Sequence, residues 1–501
     1  MDLKKGKVQK KKSLWLTKRF WLIVAVVFTL TMLSIALIFT LALPLSSLAD
    51  KTCDNFASEG PYCLAQGKND IKRVYSTRTT FNQSIKLLKS KSDSVKLPEK
   101  CEPVMLYIFS RHSIRYPKSD DIMEMGQLLP QLQQELTEAF NKGSSELCEQ
   151  DYQAIKQWKL EMVPENDNHV TPSGVKATKK IAKLFYSQYP DLFDPNKVNF
   201  QVGVTSKVRT NETAHAFVEG LVDIKPEINI KESDYVVRDY LQFHSICKKK
   251  IGVKLPKPKQ LKEITESKLF SKLRQRVSKR LGFNRTISDD ELNIMYTSCS
   301  FEQAIFDKAP WCNVFTKREL KVLESREDIE HYYKNGPGFK LNRKMACPLI
   351  ADLYESVERA INIPENRTTY LYFSHAGAMS RLWSTLDIFD KLSLNENFCP
   401  DGKREWQTSL ILPFNVNFDV VLYRCSEDHE TTDPSDYKLL TMINGVPIEI
   451  DQCDDPFCSA TKFLKEYKSM ARTCDLDELC KLPGRSSDGN NTEKSPVSDD
   501  D

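Results

Sequence analysis

The chain predicts an α/β fold, and three observations carry that prediction. Strand-like and helix-like stretches alternate between about residues 101 and 482, as expected for a sheet covered by helices. Three apolar segments each lead to an arginine or a histidine. VMLYIF (Val104–Phe109) runs into Arg111 and His112, VNFQVGVTS (Val198–Ser206) leads to Arg209, and TYLYFS (Thr369–Ser374) runs into His375. Helical patterns with recognisable starts and stops lie between these segments.

The first and third segments read as short buried strands, because their apolar runs are continuous and bounded by polar residues. The second reads more weakly, since it alternates and contains Gly203. Thr171 is suited to cap a helix whose first residue is Pro172. Val175, Thr178, Ile181, Ala182, Phe185 and Tyr189 then share one face, and Pro190 ends the pattern. CPLIADLYESVERAI places Leu349, Leu353, Val357 and Ala360 on one face just before the third strand. Residues 226–340 are rich in lysine and helix formers and read as an inserted, largely helical region. After residue 408 the pattern changes to SLILPF, FDVVLYR and KLLTMINGVPIEI, with Asn444–Gly445 as a hairpin turn.

The two ends differ from this core. Residues 1–19 carry eight Lys or Arg and one acid, so of the formal net charge of +4 the tail holds +7 and the rest about −3. The folded part is therefore not basic, which argues against nucleic acid as a partner. Phe20 to Leu43 contain no charge over 24 residues. About 20 apolar residues in a helix cross the hydrocarbon core, and a signal-peptide core runs about 7–15. Length thus favours an uncleaved signal anchor, single-pass with the basic tail in the cytosol and the remainder lumenal or extracellular. Cleavage near Ala49, giving a secreted protein, is the alternative. Residues 44–100 read as a polar stalk running into the start of the domain, 101–482 as the domain, and 483–501 as a disordered tail.

All 14 cysteines follow the apolar segment, which reads as a disulfide framework in a translocated domain. No CxxC pair is present and histidines number seven, so no zinc finger, metal or cofactor is expected. Sequons at Asn82, Asn284 and Asn366 are glycosylation candidates. Asn490 lies in the tail, and a glycan on Asn211 would crowd nearby Arg209. Oligomeric state has no signature in the sequence.

Ligands of open α/β sheets bind beyond the carboxyl ends of the strands. If the three strands are neighbours, Arg111, His112, Arg115, Arg209 and His375 converge there. Guanidinium groups match phosphate oxygens in paired, charge-assisted hydrogen bonds. A histidine can attack phosphorus and carry the phosphoryl group covalently, while the surrounding positive charge stabilises the equatorial oxygens. Each residue alone has a plainer reading: surface charge for Arg111 and His112, a core histidine for His375, helix-start decoration for Arg209.

RHSIRYP resembles the R-H-G-x-R-x-P signature of the histidine acid phosphatases. SHAGA stands where that family carries its second histidine motif, H-D or, in one subgroup, H-A-E. TSKVRTNETAHAFVEGL resembles the segment supplying the third arginine. CSFEQAIFDKAPWCNVFTKREL, YYKNGPG and LPFNVNFDVVLYRC are similar to the multiple inositol polyphosphate phosphatase subgroup. The resemblance runs from about Cys101 to Cys458. It implies a histidine-phosphatase-like α/β core with a largely helical second domain, and substrate entering between them. It also implies His112 as the phosphorylated nucleophile, with Arg111, Arg115, Arg209 and His375 binding phosphate. The implied substrates are inositol polyphosphates such as phytate, with 2,3-bisphosphoglycerate as a further candidate.

Two positions depart from the pattern. Ser113 replaces the motif glycine, where its hydroxyl is a candidate donor to phosphate. Gly377 stands where the subgroup's H-A-E places the general acid. An alkoxide leaves poorly without a proton, and a positioned acid contributes about 10²–10⁴-fold. The next acids downstream are Asp387 and Asp390. The sequence therefore supports a membrane-anchored phosphatase working through a phosphohistidine. Its alternatives are a slow enzyme for esters with better leaving groups, or a catalytically impaired relative that binds polyanions or acts as a scaffold.

Overall fold

Continuous apolar runs become strands buried on both faces. The computed structural model describes residues 63, 74–89, 100–243, 245, 259–389, 405–450, 453 and 456–480. They form an eight-stranded sheet in the order β3-β2-β4-β1-β5-β6-β7, with β8 paired to β6. The strands are β1 (Glu102–Arg111), β2 (Asn199–Val204), β3 (Tyr235–Val237), β4 (Thr368–Ser374), β5 (Asn417–Arg424), β6 (Tyr437–Ile443), β7 (Val446–Pro447) and β8 (Phe457–Ser459). β1, β4, β2 and β3 run parallel, while β5 to β8 are added antiparallel.

Alternate residues explain the burial. Met105, Tyr107 and Phe109 of β1 join one apolar cluster with Tyr370 and Tyr372 of β4 and the Cys347–Asn362 helix. Leu106 and Ile108 join the other, with Leu371, Phe373 and the Pro172–Gln188 and Val208–Val222 helices. Each fully buried side chain of this kind contributes roughly 1.5–3 kcal/mol. Gly203, the residue that weakened the second segment as a strand, sits under the Tyr372 ring. A Cβ there would meet Tyr372 Cδ1 at 2.7 Å, so close packing against the neighbouring strand is the reason for the glycine.

Local ends form as the sequence indicates. Thr171 accepts a hydrogen bond from the Gly174 amide and Pro172 opens the helix. Asn444 and Gly445 both have positive φ, 53° and 70°, between β6 and β7, as a type I′ hairpin turn requires. Two features differ from the sequence reading. The region read as helical from 226 contains β3, which extends the sheet beyond β2 ahead of the helices from Lys259 onward. Thr408–Ile411, overlapping the start of the SLILPF stretch, is one helical turn.

Those helices include Lys268–Leu281, Asp289–Phe306 and Lys317–Lys334. Ser288 with Glu291 and Thr316 with Glu319 form capping boxes at the starts of the last two. Disulfides join Cys63–Cys148, Cys101–Cys425, Cys299–Cys312, Cys347–Cys474 and Cys453–Cys458, and Cys480 is also bonded. Residues 1–19, 20–43 and 483–501 lie outside the described residues, as do Asn490 and Asp390. Among the described residues, no helix is long and apolar enough to cross a membrane.

Candidate active site

Parallel pairing decides which side chains meet. Arg111 is opposite Ser374 across β1 and β4, so the next residues, His112 and His375, leave the sheet side by side. The His112 amide donates to the Ser374 carbonyl at 2.9 Å, and the two imidazole centroids are 5.7 Å apart. Gly203 of β2 is opposite Tyr372. Continuing that register brings Thr205 level with Ser374, next to His375, and its Oγ1 lies 2.9 Å from His375 Nε2.

His112 has a defined tautomer. Its Nδ1 is 2.9 Å from the carbonyl oxygen of Ser113. A carbonyl oxygen only accepts, so Nδ1 carries a proton, and in the neutral ring Nε2 carries the lone pair. Both histidines are fully buried.

The three arginines are also buried. Arg111 Nη1 donates to the carbonyls of Thr77 (2.6 Å) and Leu412 (2.8 Å), and its guanidinium stacks 4.6 Å from the Phe414 centroid. Arg115 packs over the Phe301 ring at 5.6 Å. Arg209 is in the first turn of the Val208–Val222 helix. That helix also fixes the loop beyond β1: Thr213 Oγ1 accepts from the Ser113 amide at 2.9 Å. Glu212 accepts from the Val170 amide at 2.7 Å, and Val170 pairs with Arg115 in an isolated β-bridge. The helices beginning at Val208 and Ala376 both start at this edge of the sheet, and helix N-termini favour an anion.

The structure corrects one expectation. The Ser113 hydroxyl lies 2.9 Å from the Gly174 carbonyl and 2.7 Å from Asn415 Oδ1, so its single proton serves these two acceptors in turn. It is a strap between the loop and the Pro172–Gln188 helix rather than a phosphate donor. The approach is close: a Cβ on Gly174 would meet the Ile114 carbonyl oxygen at 2.3 Å.

Gly377 is the second residue of the Ala376–Thr385 helix, and its carbonyl accepts from Arg381 Nη1 at 2.7 Å. Asp387 is a turned-away acid: it pairs with Arg343 at 2.5 Å beyond the end of that helix. Sequence reasoning did not single out Thr205, Thr213, Phe301, Phe414 or the Ser76–Arg78 turn. The hydroxyls flanking Arg209 were a signal for the first two. The Ser76–Arg78 turn lies within the stretch read as stalk and start of the domain, and Tyr75, Ser76 and Thr79 are almost fully buried.

Residues 104–438 match the model of the histidine phosphatase superfamily, branch 2. A Drosophila melanogaster protein named multiple inositol polyphosphate phosphatase 1 is 28% identical over 469 residues, spanning 90% of this chain and 95% of its own length. The solved phytase of D. castellii superposes with a TM-score of 0.63 at 16% identity, covering 82% of this chain and 86% of that one. The Bifidobacterium longum multiple inositol polyphosphate phosphatase, solved with inositol hexasulfate, gives a TM-score of 0.51 at 14% identity, covering 78% and 96%. The parallel strands carrying His112 and His375 are thus the core of a chain that belongs to the histidine phosphatase superfamily, branch 2, and is similar within it to the multiple inositol polyphosphate phosphatases.

Proposed function

We propose that this histidine phosphatase hydrolyses phosphomonoesters of inositol polyphosphates through a phosphohistidine. The observation that supports this most is the His112 ring, whose Nδ1–H is held by the Ser113 carbonyl beside His375 and Arg111 at the ends of paired strands. Nε2 attacks phosphorus; the N–P bond forms and the ester O–P bond breaks. The departing oxygen takes a proton from solvent water. Water then attacks the phosphohistidine, the N–P bond breaks, and inorganic phosphate leaves with His112 restored. Arg111, Arg115, Arg209 and His375 hold the phosphoryl oxygens, and the positive charge of the arginines grows in value as the equatorial oxygens gain charge. The relatives' names support the inositol polyphosphate substrate.

The disulfides support an oxidising compartment. The charge-free stretch 20–43 supports attachment to a membrane as a signal anchor, with this domain lumenal or extracellular.

One observation favours a second reading. Gly377 has no side chain to give the leaving oxygen its proton, which fits an impaired relative that binds polyanions or scaffolds. Phosphate release from phytate by the full chain, made in a secretory host, separates the two. The phosphatase reading expects release that disappears in His112→Ala. Equal background from both proteins, each folded by circular dichroism, overturns it in favour of binding alone.

A further inference from the structure

A charged pair beside the pocket has no task in that reaction. The Ser76–Arg78 turn passes directly under the site, since the Thr77 carbonyl is bound by Arg111. The next residue, Arg78, has its guanidinium carbon 5.4 Å from the Phe301 centroid. Arg115 uses the same ring at 5.6 Å. Phe301 is therefore a shared platform for two cations, one in the proposed phosphate pocket and one adjoining it. Arg78 Nε donates to Ser300 Oγ at 2.6 Å, and its Nη2 pairs with Glu327 on the Lys317–Lys334 helix. Both side chains retain some exposure, 17% for Arg78 and 14% for Glu327.

An enclosed ion pair adds little net stability, because desolvation offsets its attraction. It does hold a guanidinium in a fixed orientation. A phosphate offers more charge and more acceptor oxygens than a carboxylate, in a geometry that suits the guanidinium fork. We propose that Arg78 is a specificity-determining residue: it takes a second phosphate of a polyphosphorylated substrate whose scissile phosphate sits at His112, and Glu327 is the counter-ion that this phosphate displaces. The proposal rests on the phosphatase reading above and extends it to substrate choice.

The test compares phytate with p-nitrophenyl phosphate, which has one phosphate, in the full-length protein and in Arg78→Ala, Arg78→Lys and Glu327→Gln. In Arg78→Ala the ratio of kcat/KM for phytate to that for p-nitrophenyl phosphate falls about tenfold or more, chiefly through KM, as expected for a lost charge-assisted contact. Arg78→Lys keeps the charge without the fork and gives an intermediate ratio. Glu327→Gln lowers the KM for phytate, because the competing carboxylate is gone. Equal losses on both substrates in Arg78→Ala, or an unchanged ratio, overturn the proposal and leave Arg78 a support for the Thr77–Arg111 contact. A raised phytate KM in Glu327→Gln overturns the displacement. If the unmodified protein hydrolyses neither substrate, the phosphatase reading has failed. Calorimetry with inositol hexakissulfate then decides Arg78 separately: weaker binding by Arg78→Ala upholds its role, and equal binding overturns it.

Discussion

Two substituted motif positions sit within a few residues of the candidate histidines, and their environments differ. Ser113 is accommodated because its hydroxyl finds the Gly174 carbonyl and Asn415; a buried hydroxyl left without such partners costs about 1–3 kcal/mol. Gly377 has no comparable compensation, since backbone bonds to Arg381 provide no proton. If the missing acid limits turnover, Gly377→Glu raises kcat on phytate by about 10²–10⁴-fold, measured as phosphate release at saturating substrate. An unchanged kcat in a folded variant means that the leaving oxygen obtains its proton elsewhere. Both departures are legible from sequence, because each falls inside a short motif. The fate of the serine hydroxyl is not, since Gly174 and Asn415 are distant along the chain.

At the scale of elements, the Asp289–Phe306 helix carries both Phe301, the platform for Arg115, and a buried acid, Glu302. Burial pushes the Glu302 carboxyl up to about 7, against the lowering effect of hydrogen bonds from Trp158 Nε1 (2.6 Å) and Ser298 Oγ (3.0 Å). A folded-state value above the ordinary 4.5 means that the folded protein holds the proton more tightly than the unfolded chain. Stability therefore falls as pH rises from about 4.5 to about 7, and the full penalty applies above that window. Glu302→Gln removes a penalty of roughly 2–4 kcal/mol. Its melting temperature should exceed that of the unmodified protein at pH 8 and lose that advantage near pH 4.5. A constant difference across this range would contradict the titration. The helical character of this region was readable from composition, whereas its Ser288–Glu291 capping box emerged from the structure. The strand at Tyr235–Val237 was not: three residues give no periodicity, and only pairing with β2 makes them a strand.

For the whole molecule, the disulfides and the charge-free stretch 20–43 support the same compartment from separate chemistry. An uncleaved anchor predicts that the full chain stays in the membrane pellet after alkaline carbonate washing and keeps its N-terminal residues. Appearance of a chain starting near residue 50 in the supernatant would instead establish cleavage.

The sequence alone determined the α/β class, the strands that end in Arg111, His112 and His375, the Thr171 helix cap, and the family resemblance. Each of these depends on residues close together in the chain, where periodicity and steric limits act directly. Tertiary structure decided the rest. Neighbouring β1, β4 and β2 in parallel register puts His112 beside His375 and Thr205. Folding likewise brings the Ser76–Arg78 turn beneath Arg111 and places two arginines on one phenylalanine. Such contacts join residues from 34 to more than 200 positions apart, and tertiary arrangement, which no local pattern encodes, is what selects them.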